Sequence, residues 1–143
     1  KLFDMMETDG EIITIDVDPM PEMPRHKRIT YLIGSSVSTE IVQKVKELAG
    51  NKKKVMVILD SDHTRNHVLK ELELYSELVS KGSYLIVEDS NINGHPVYSG
   101  FGQGPGPWEA VLEFLPKHPE FEIDRTKEKF LMSFNPNGFL KKI

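Results

Sequence analysis

The chain has no cysteine in its 143 residues. That excludes a disulfide framework, thiolate metal ligands and a cysteine nucleophile, and it fits a reducing, cytoplasmic setting. No apolar run approaches the roughly 20 residues a membrane-spanning helix needs, so no membrane span is expected. Positive charge is not in excess. Lys and Arg number 18 against 22 Asp and Glu, giving a net charge of -4. The cations are spread along the chain, which argues against nucleic acid as a partner. No internal repeat or low-complexity tract occurs. The start, Lys1-Leu2-Phe3-Asp4-Met5-Met6, is charged and too short for a signal-peptide core. It reads as the tail of a helix already under way, ended by Gly10.

What the chain does have is acids at strand ends. Val55 to Leu59 is an apolar run of strand length that stops in Asp60, Ser61, Asp62 and His63. A second such run, Ser83 to Val87, stops in Glu88 and Asp89. Apolar runs with polar C-terminal ends are the pattern of central parallel strands that deliver residues to a ligand crevice. Parallel neighbours place those ends side by side, so Asp60, Asp62, Glu88 and Asp89 are predicted to converge, with His63 beside them. Carboxylates gathered at one sheet edge repel unless a cation or shared protons offset them. Oxygen ligands of this kind suit Mg²⁺. His63 there could serve as a general base. Either Asp60 or Asp62 could instead cap the helix that begins near Thr64.

The remaining elements follow by periodicity. Ile12 to Ile15 reads as a strand ending in Asp16 and Asp18, and an acid at such an end often holds ribose hydroxyls. Pro19 to Pro24 cannot be regular structure. Ile29 to Ile33 reads as a strand closed by Gly34, Ser35 and Ser36. Ser38 caps a helix with Ile41, Val42, Val45 and Leu48 on its apolar face. Val68, Leu69, Leu72, Leu74 and Leu78 mark a helix after His63, ended near Gly82. Ser90 to Pro107 is a long loop after Glu88-Asp89 and reads as a substrate lid. It holds His95, a second candidate base, with Tyr98 and Phe101. Trp108, Val111, Leu112 and Leu115 form a helix face. Phe121 to Asp124 and Phe130 to Phe134 read as strands. Asn135-Pro136-Asn137-Gly138 is a turn, and Phe139 to Ile143 closes a hairpin. His67 reads as a surface residue, and His26 and His118 carry no signal. The sum is an α/β protein: one domain over 1–143, mostly parallel, with an antiparallel C-terminal strand pair in a three-layer α/β/α arrangement.

Ile15-Asp16-Val17-Asp18, Gly34-Ser35-Ser36, Leu59-Asp60-Ser61-Asp62-His63, Val87-Glu88-Asp89 and Phe134-Asn135-Pro136-Asn137-Gly138 together resemble the cephalosporin hydroxylase family. The resemblance covers nearly the whole chain from Glu11. It implies a Rossmann-like, class I S-adenosylmethionine-dependent methyltransferase fold with a metal site like that of catechol O-methyltransferase. In that enzyme a strand-end Asp and an acidic-polar pair after the next strand hold Mg²⁺. Asp60, Glu88 and Asp89 match those positions. The catalytic lysine three residues after the first ligand is replaced by His63. The likeness further implies that Asp16, Ser36 and Ser61 contact S-adenosylmethionine. The family's glycine-rich loop, after its first strand, has no counterpart here, so the domain is expected to lack its first strand.

The leading expectation is an Mg²⁺-dependent O-methyltransferase acting on a small-molecule or sugar hydroxyl, with His63 or Asp62 taking the proton. Two other readings remain. Asp60-Ser61-Asp62-His63-Thr64 also fits the nucleophile motif of haloacid-dehalogenase-like phosphohydrolases, although two strands precede it. A non-catalytic binding domain derived from a methyltransferase is the third. Pattern does not decide between a monomer and a homo-oligomer.

Overall fold

The computed structural model describes residues 9–19, 21–97, 104–129 and 133–143. The predicted helix over Leu2 to Glu7, the aromatics Tyr98 and Phe101, and most of the predicted strand Phe130 to Phe134 lie outside them. The chain divides into two compact units, residues 1–48 and 49–143.

In the first unit, β1 (Ile12–Asp16) and β2 (Ile29–Ile33) pair in parallel, in register from Ile12 against Ile29 to Asp16 against Ile33. The β-branched run of β1 and the Ile-Thr-Tyr-Leu-Ile of β2 favour extended backbone. The prolines between them keep that connection irregular. Helix α1 (Thr39–Ala49) starts as predicted after Ser38, whose Oγ accepts the Ile41 N–H at 3.4 Å. Its buried residues Ile41, Val42, Val45 and Ala49 recur at helical spacing.

The second unit holds a four-stranded sheet in the order β3-β4-β6-β5. Its strands are β3 (Val57–Leu59), β4 (Tyr84–Val87), β5 (Phe121–Ile123) and β6 (Phe139–Lys142). β3 and β4 are parallel, whereas β6 runs antiparallel to both β4 and β5. Helices α2 (Arg65–Tyr75) and α3 (Pro107–Phe114) pack on each other. Leu72 of α2, Leu85 of β4, Ala110, Val111 and Phe114 of α3 and Leu140 of β6 are fully buried. A buried side chain the size of Leu or Phe contributes about 1.5–3 kcal/mol relative to an exposed one.

Three expectations are adjusted. Among the described residues the strands form two sheets, one in each unit. β3 is shorter than its apolar run: the Val55 N–H goes to the Ser80 hydroxyl at 2.9 Å, so pairing begins only at Val57. The C-terminal segment does not close a hairpin with the segment just before it. β6 instead inserts between β4 and β5, where Leu140 is fully buried, and the antiparallel pair is β5 with β6.

Candidate active site

The register of β3 and β4 builds the site. Leu59 lies opposite Val87, and the Glu88 N–H donates to the Leu59 carbonyl at 2.9 Å. The strands therefore end level, with Asp60 leaving one tip and Glu88-Asp89 the other. Asp60, His63 and Asp89 each offer a ligand atom, all within 4.8 Å of one another. His63 Nε2 stands 3.2 Å from Asp89 Oδ2 and 3.7 Å from Asp60 Oδ1. That nitrogen is buried, yet no hydrogen bond of good geometry satisfies it. A buried polar atom without a partner costs about 1–3 kcal/mol and persists where a ligand or reaction uses it. Two carboxylates and an unsatisfied imidazole nitrogen are a fit donor set for a divalent cation.

Asp89 carries a local strain that serves this geometry. Its φ is 50°, in the left-handed region that side chains other than those of Gly, Asn and Asp rarely enter. The turn after residue 134 holds it there. Asn135 Oδ1 accepts the Asp89 N–H at 3.0 Å, and the Pro136 carbonyl accepts the Ser90 hydroxyl at 2.7 Å. The Gly138 carbonyl accepts the Val87 N–H at 2.8 Å. A Cβ on Gly138 would sit 2.2 Å from the Val87 carbonyl oxygen, so only glycine lets the turn approach β4. In sequence this segment read as a turn and as one motif of the family resemblance, with no sign that it would hold Asp89.

The other predicted site residues fall in different places. Asp62 accepts the Thr64 N–H at 2.8 Å across a local turn; Thr64 is itself the N-cap of α2, so the capping role weighed from sequence is not the one Asp62 has. The hydrogen bonds from Thr64 hold its carboxyl below the usual carboxylate range, which makes it a weak proton acceptor. Ser61 donates its hydroxyl to Glu71 Oε1 at 2.8 Å. Glu71 is 2% exposed and its Oε2 has no partner, a buried carboxylate behind the acidic loop that sequence reasoning missed. Glu88 is half-buried beside Asp89, but the three-residue group has His63 in place of it. In the first unit, Ser36 is buried and Asp16 is exposed. Asp16 Oδ1 accepts the Asp18 N–H at 3.1 Å. It also lines a cavity of about 240 Å³ with Thr14, Tyr31 and Leu32. Among the described residues, no helix is long and apolar enough to cross a membrane.

Comparison with known proteins bears on the family. The rhamnosyl O-methyltransferases of Mycobacterium bovis and Mycobacterium tuberculosis are each 41% identical to the chain over 136 residues. That alignment takes in 91% of the chain and 55% of each relative's length. The Mycobacterium leprae rhamnosyl O-methyltransferase is 39% identical over 128 residues, 87% of the chain and 54% of its own length. The chain thus spans about half the length of the curated relatives it matches.

Among solved structures, the MycE methyltransferase from the mycinamycin biosynthetic pathway, in complex with Mg and SAH, aligns with a TM-score of 0.55 at 18% identity. The alignment covers 93% of this chain and 37% of that one. At that identity the likeness establishes the Rossmann-like methyltransferase fold. The model of one family, Rhamnosyl O-methyltransferase/CmcI, matches residues 1–143. That leaves the phosphohydrolase reading of Asp60 and Asp62 without support, and the chain belongs to the Rhamnosyl O-methyltransferase/CmcI family.

Proposed function

We propose that the chain is the catalytic part of an Mg²⁺-dependent S-adenosylmethionine O-methyltransferase acting on a sugar hydroxyl. The observation that carries this is the level ending of β3 and β4, with Asp60, His63 and Asp89 within 4.8 Å of one another. The names of its relatives supply the class of acceptor.

Asp60 and Asp89 would hold the ion, with Glu88, the neighbouring carboxylate on the β4 tip, as the third acid the family likeness implies. A bound Mg²⁺ supplies a lowered pKa to a coordinated hydroxyl and a fixed orientation. S-adenosylmethionine, when bound, would supply an electrophilic methyl group on a sulfonium that leaves as a thioether. His63 would take the proton at Nε2, a buried nitrogen with no hydrogen-bond partner. Asp60 and Asp89 beside that nitrogen stabilise the imidazolium it becomes. Asp62, committed to Thr64, steadies the loop between the strand tip and α2.

In the first unit Asp16 and Ser36 are the cofactor-binding candidates that the family likeness implies, and in the second unit Ser61 is the candidate. The Ser61 hydrogen is already given to Glu71, so it offers a ligand its oxygen lone pair or its backbone. A cytoplasmic location follows from the same reading, because the cofactor is made and used there. Calorimetric titration of the full chain with S-adenosylmethionine, with and without Mg²⁺, tests the proposal. Binding strengthened by Mg²⁺ is expected; absence of binding under both conditions would remove it.

A further inference from the structure

His95 lies six residues after Asp89, and the sequence offered it only as a second candidate base. In the structure it is clamped. Its Nε2 meets Glu109 Oε1 at 2.7 Å, and its ring stacks on Trp108 with centroids 4.6 Å apart and planes 5° from parallel. Glu109 is itself fixed, since its Oε2 accepts the Gly106 N–H at 2.7 Å. Partial burial works against its charge, but the Gly106 amide and the His95 ring outweigh that and hold its carboxyl below the usual range.

A carboxylate at Nε2 sets the tautomer. In the neutral ring the proton then sits on Nε2, and Nδ1 carries the lone pair. Two residues earlier, Asn93 Oδ1 is a buried acceptor without a partner. The Asn93 side chain borders the segment that carries His63. A Cβ on Gly106 would come within 2.6 Å of Asn93 Nδ2 and 3.2 Å of the His63 carbonyl oxygen. The 93–95 turn, the residue that anchors Glu109 and the backbone of His63 are therefore pressed against one another. The Arg65 N–H donates to the Pro105 carbonyl at 3.0 Å and ties the same two segments together.

Acceptors on a turn that borders the His63 segment suit an acceptor molecule with several hydroxyl donors. We propose that His95, oriented by Glu109 and Trp108, accepts a hydrogen bond at Nδ1 from a hydroxyl neighbouring the one methylated, and so selects vicinal diols of a sugar. This rests on the function proposed above. His95 is a binding and specificity residue in this scheme, while Glu109 is a positioning residue that acts through it.

The probe is methyl α-L-rhamnoside with its monodeoxy analogues, on the full chain with S-adenosylmethionine and Mg²⁺. His95→Ala is expected to raise KM for the glycoside about tenfold to a hundredfold with kcat little changed. That penalty should vanish on the one analogue that lacks the recognised hydroxyl. Glu109→Gln should reproduce it, because an amide nitrogen donating to Nε2 moves the ring proton to Nδ1.

An unchanged KM in His95→Ala overturns the inference and leaves the methyltransferase reading standing. Should that variant fail to fold, ¹⁵N spectra of the wild-type imidazole decide. A shift at His95 Nδ1 on adding the glycoside supports the inference, and an unmoved Nδ1 at saturation overturns it. A wild-type chain that binds S-adenosylmethionine with Mg²⁺ but not the glycoside sinks the sugar reading and this inference together.

Discussion

His63 and His118 each sit between two carboxylates, and they are opposites. His118 donates or accepts at both ring nitrogens, to Glu73 Oε2 at 3.0 Å and Glu120 Oε1 at 3.1 Å. Its ring lies flat on Phe114, with centroids 3.8 Å apart. Both ring nitrogens are engaged, and the arrangement ties α2 to the segment before β5. His63 also has two acids close by, at 3.2 and 3.7 Å, yet its buried Nε2 makes no hydrogen bond. Residue types and charges are nearly the same in the two places. What differs is whether hydrogen-bonding capacity is spent or held open. Spent capacity stabilises a fold, and capacity held open is what a ligand or a reaction can use.

The comparison breaks first if the acids of the open group do nothing. Asp60→Asn or Asp89→Asn should abolish Mg²⁺-dependent methyl transfer, by about a thousandfold or more in kcat/KM. Thermal unfolding should stay where it was or shift slightly upward, because the change removes repulsion and no satisfied hydrogen bond. Activity and melting temperature measured on the same preparations check both halves. Retained activity, or a large loss of stability, would make the group structural.

His63→Ala comes next, with an expected loss of about a hundredfold to ten-thousandfold in kcat. Its affinity for S-adenosylmethionine should be unchanged. The Mg²⁺ dependence of both proteins separates this from a role as ion ligand, in which case the Mg²⁺ requirement would move instead.

His118→Ala sharpens the contrast from the other side. Losing two partly exposed hydrogen bonds and the stack on Phe114 should cost about 1–2 kcal/mol of stability. Methyl transfer should remain within about twofold of wild type. Denaturant unfolding monitored beside turnover gives both numbers.

How legible this contrast was in the sequence depends on the reach of each interaction. Asp60 and Asp89 could be read because an apolar run that stops in an acid is a local pattern, and parallel pairing brings such ends together without further information. β2 was legible for the same reason and runs from Ile29 to Ile33 as its composition predicts. The partner of His118 could not be read, since Glu73 lies 45 residues away on another helix. The left-handed turn at Asp89 depends on Asn135, 46 residues on, and no spacing rule joins them. β6 was misplaced because a turn signal suggests pairing with the nearest strand. Its two partners are chosen instead by the burial of Leu140 between β4 and β5. Glu71 was invisible because an acid on a helix normally faces water, and only packing shows it buried against Ser61.

The smallest effect concerns a carboxylate of the spent kind. Asp124 accepts hydrogen bonds from the Thr126 hydroxyl, from Tyr84 Oη at 2.6 Å and from the Thr126 N–H at 3.0 Å. The Thr126 hydroxyl and the Tyr84 hydroxyl, in that order, pull its pKa down from 3.8 to about 2. A folded-state pKa below the unfolded one means that the native form binds its proton less readily. The contribution to stability is therefore full above about pH 4 and is lost as pH falls toward 2. Asp124→Asn should give up that contribution at neutral pH and flatten the acid limb of the stability curve between those values. Asp60→Asn, which removes no satisfied hydrogen bond, should leave that limb as it is. Urea midpoints measured from pH 6 down to pH 2 on the two variants and the wild type compare them directly. If Asp60→Asn flattens the acid limb as much as Asp124→Asn does, the acids at the strand tips are already stabilised by the fold, and the distinction between the two kinds of site is lost.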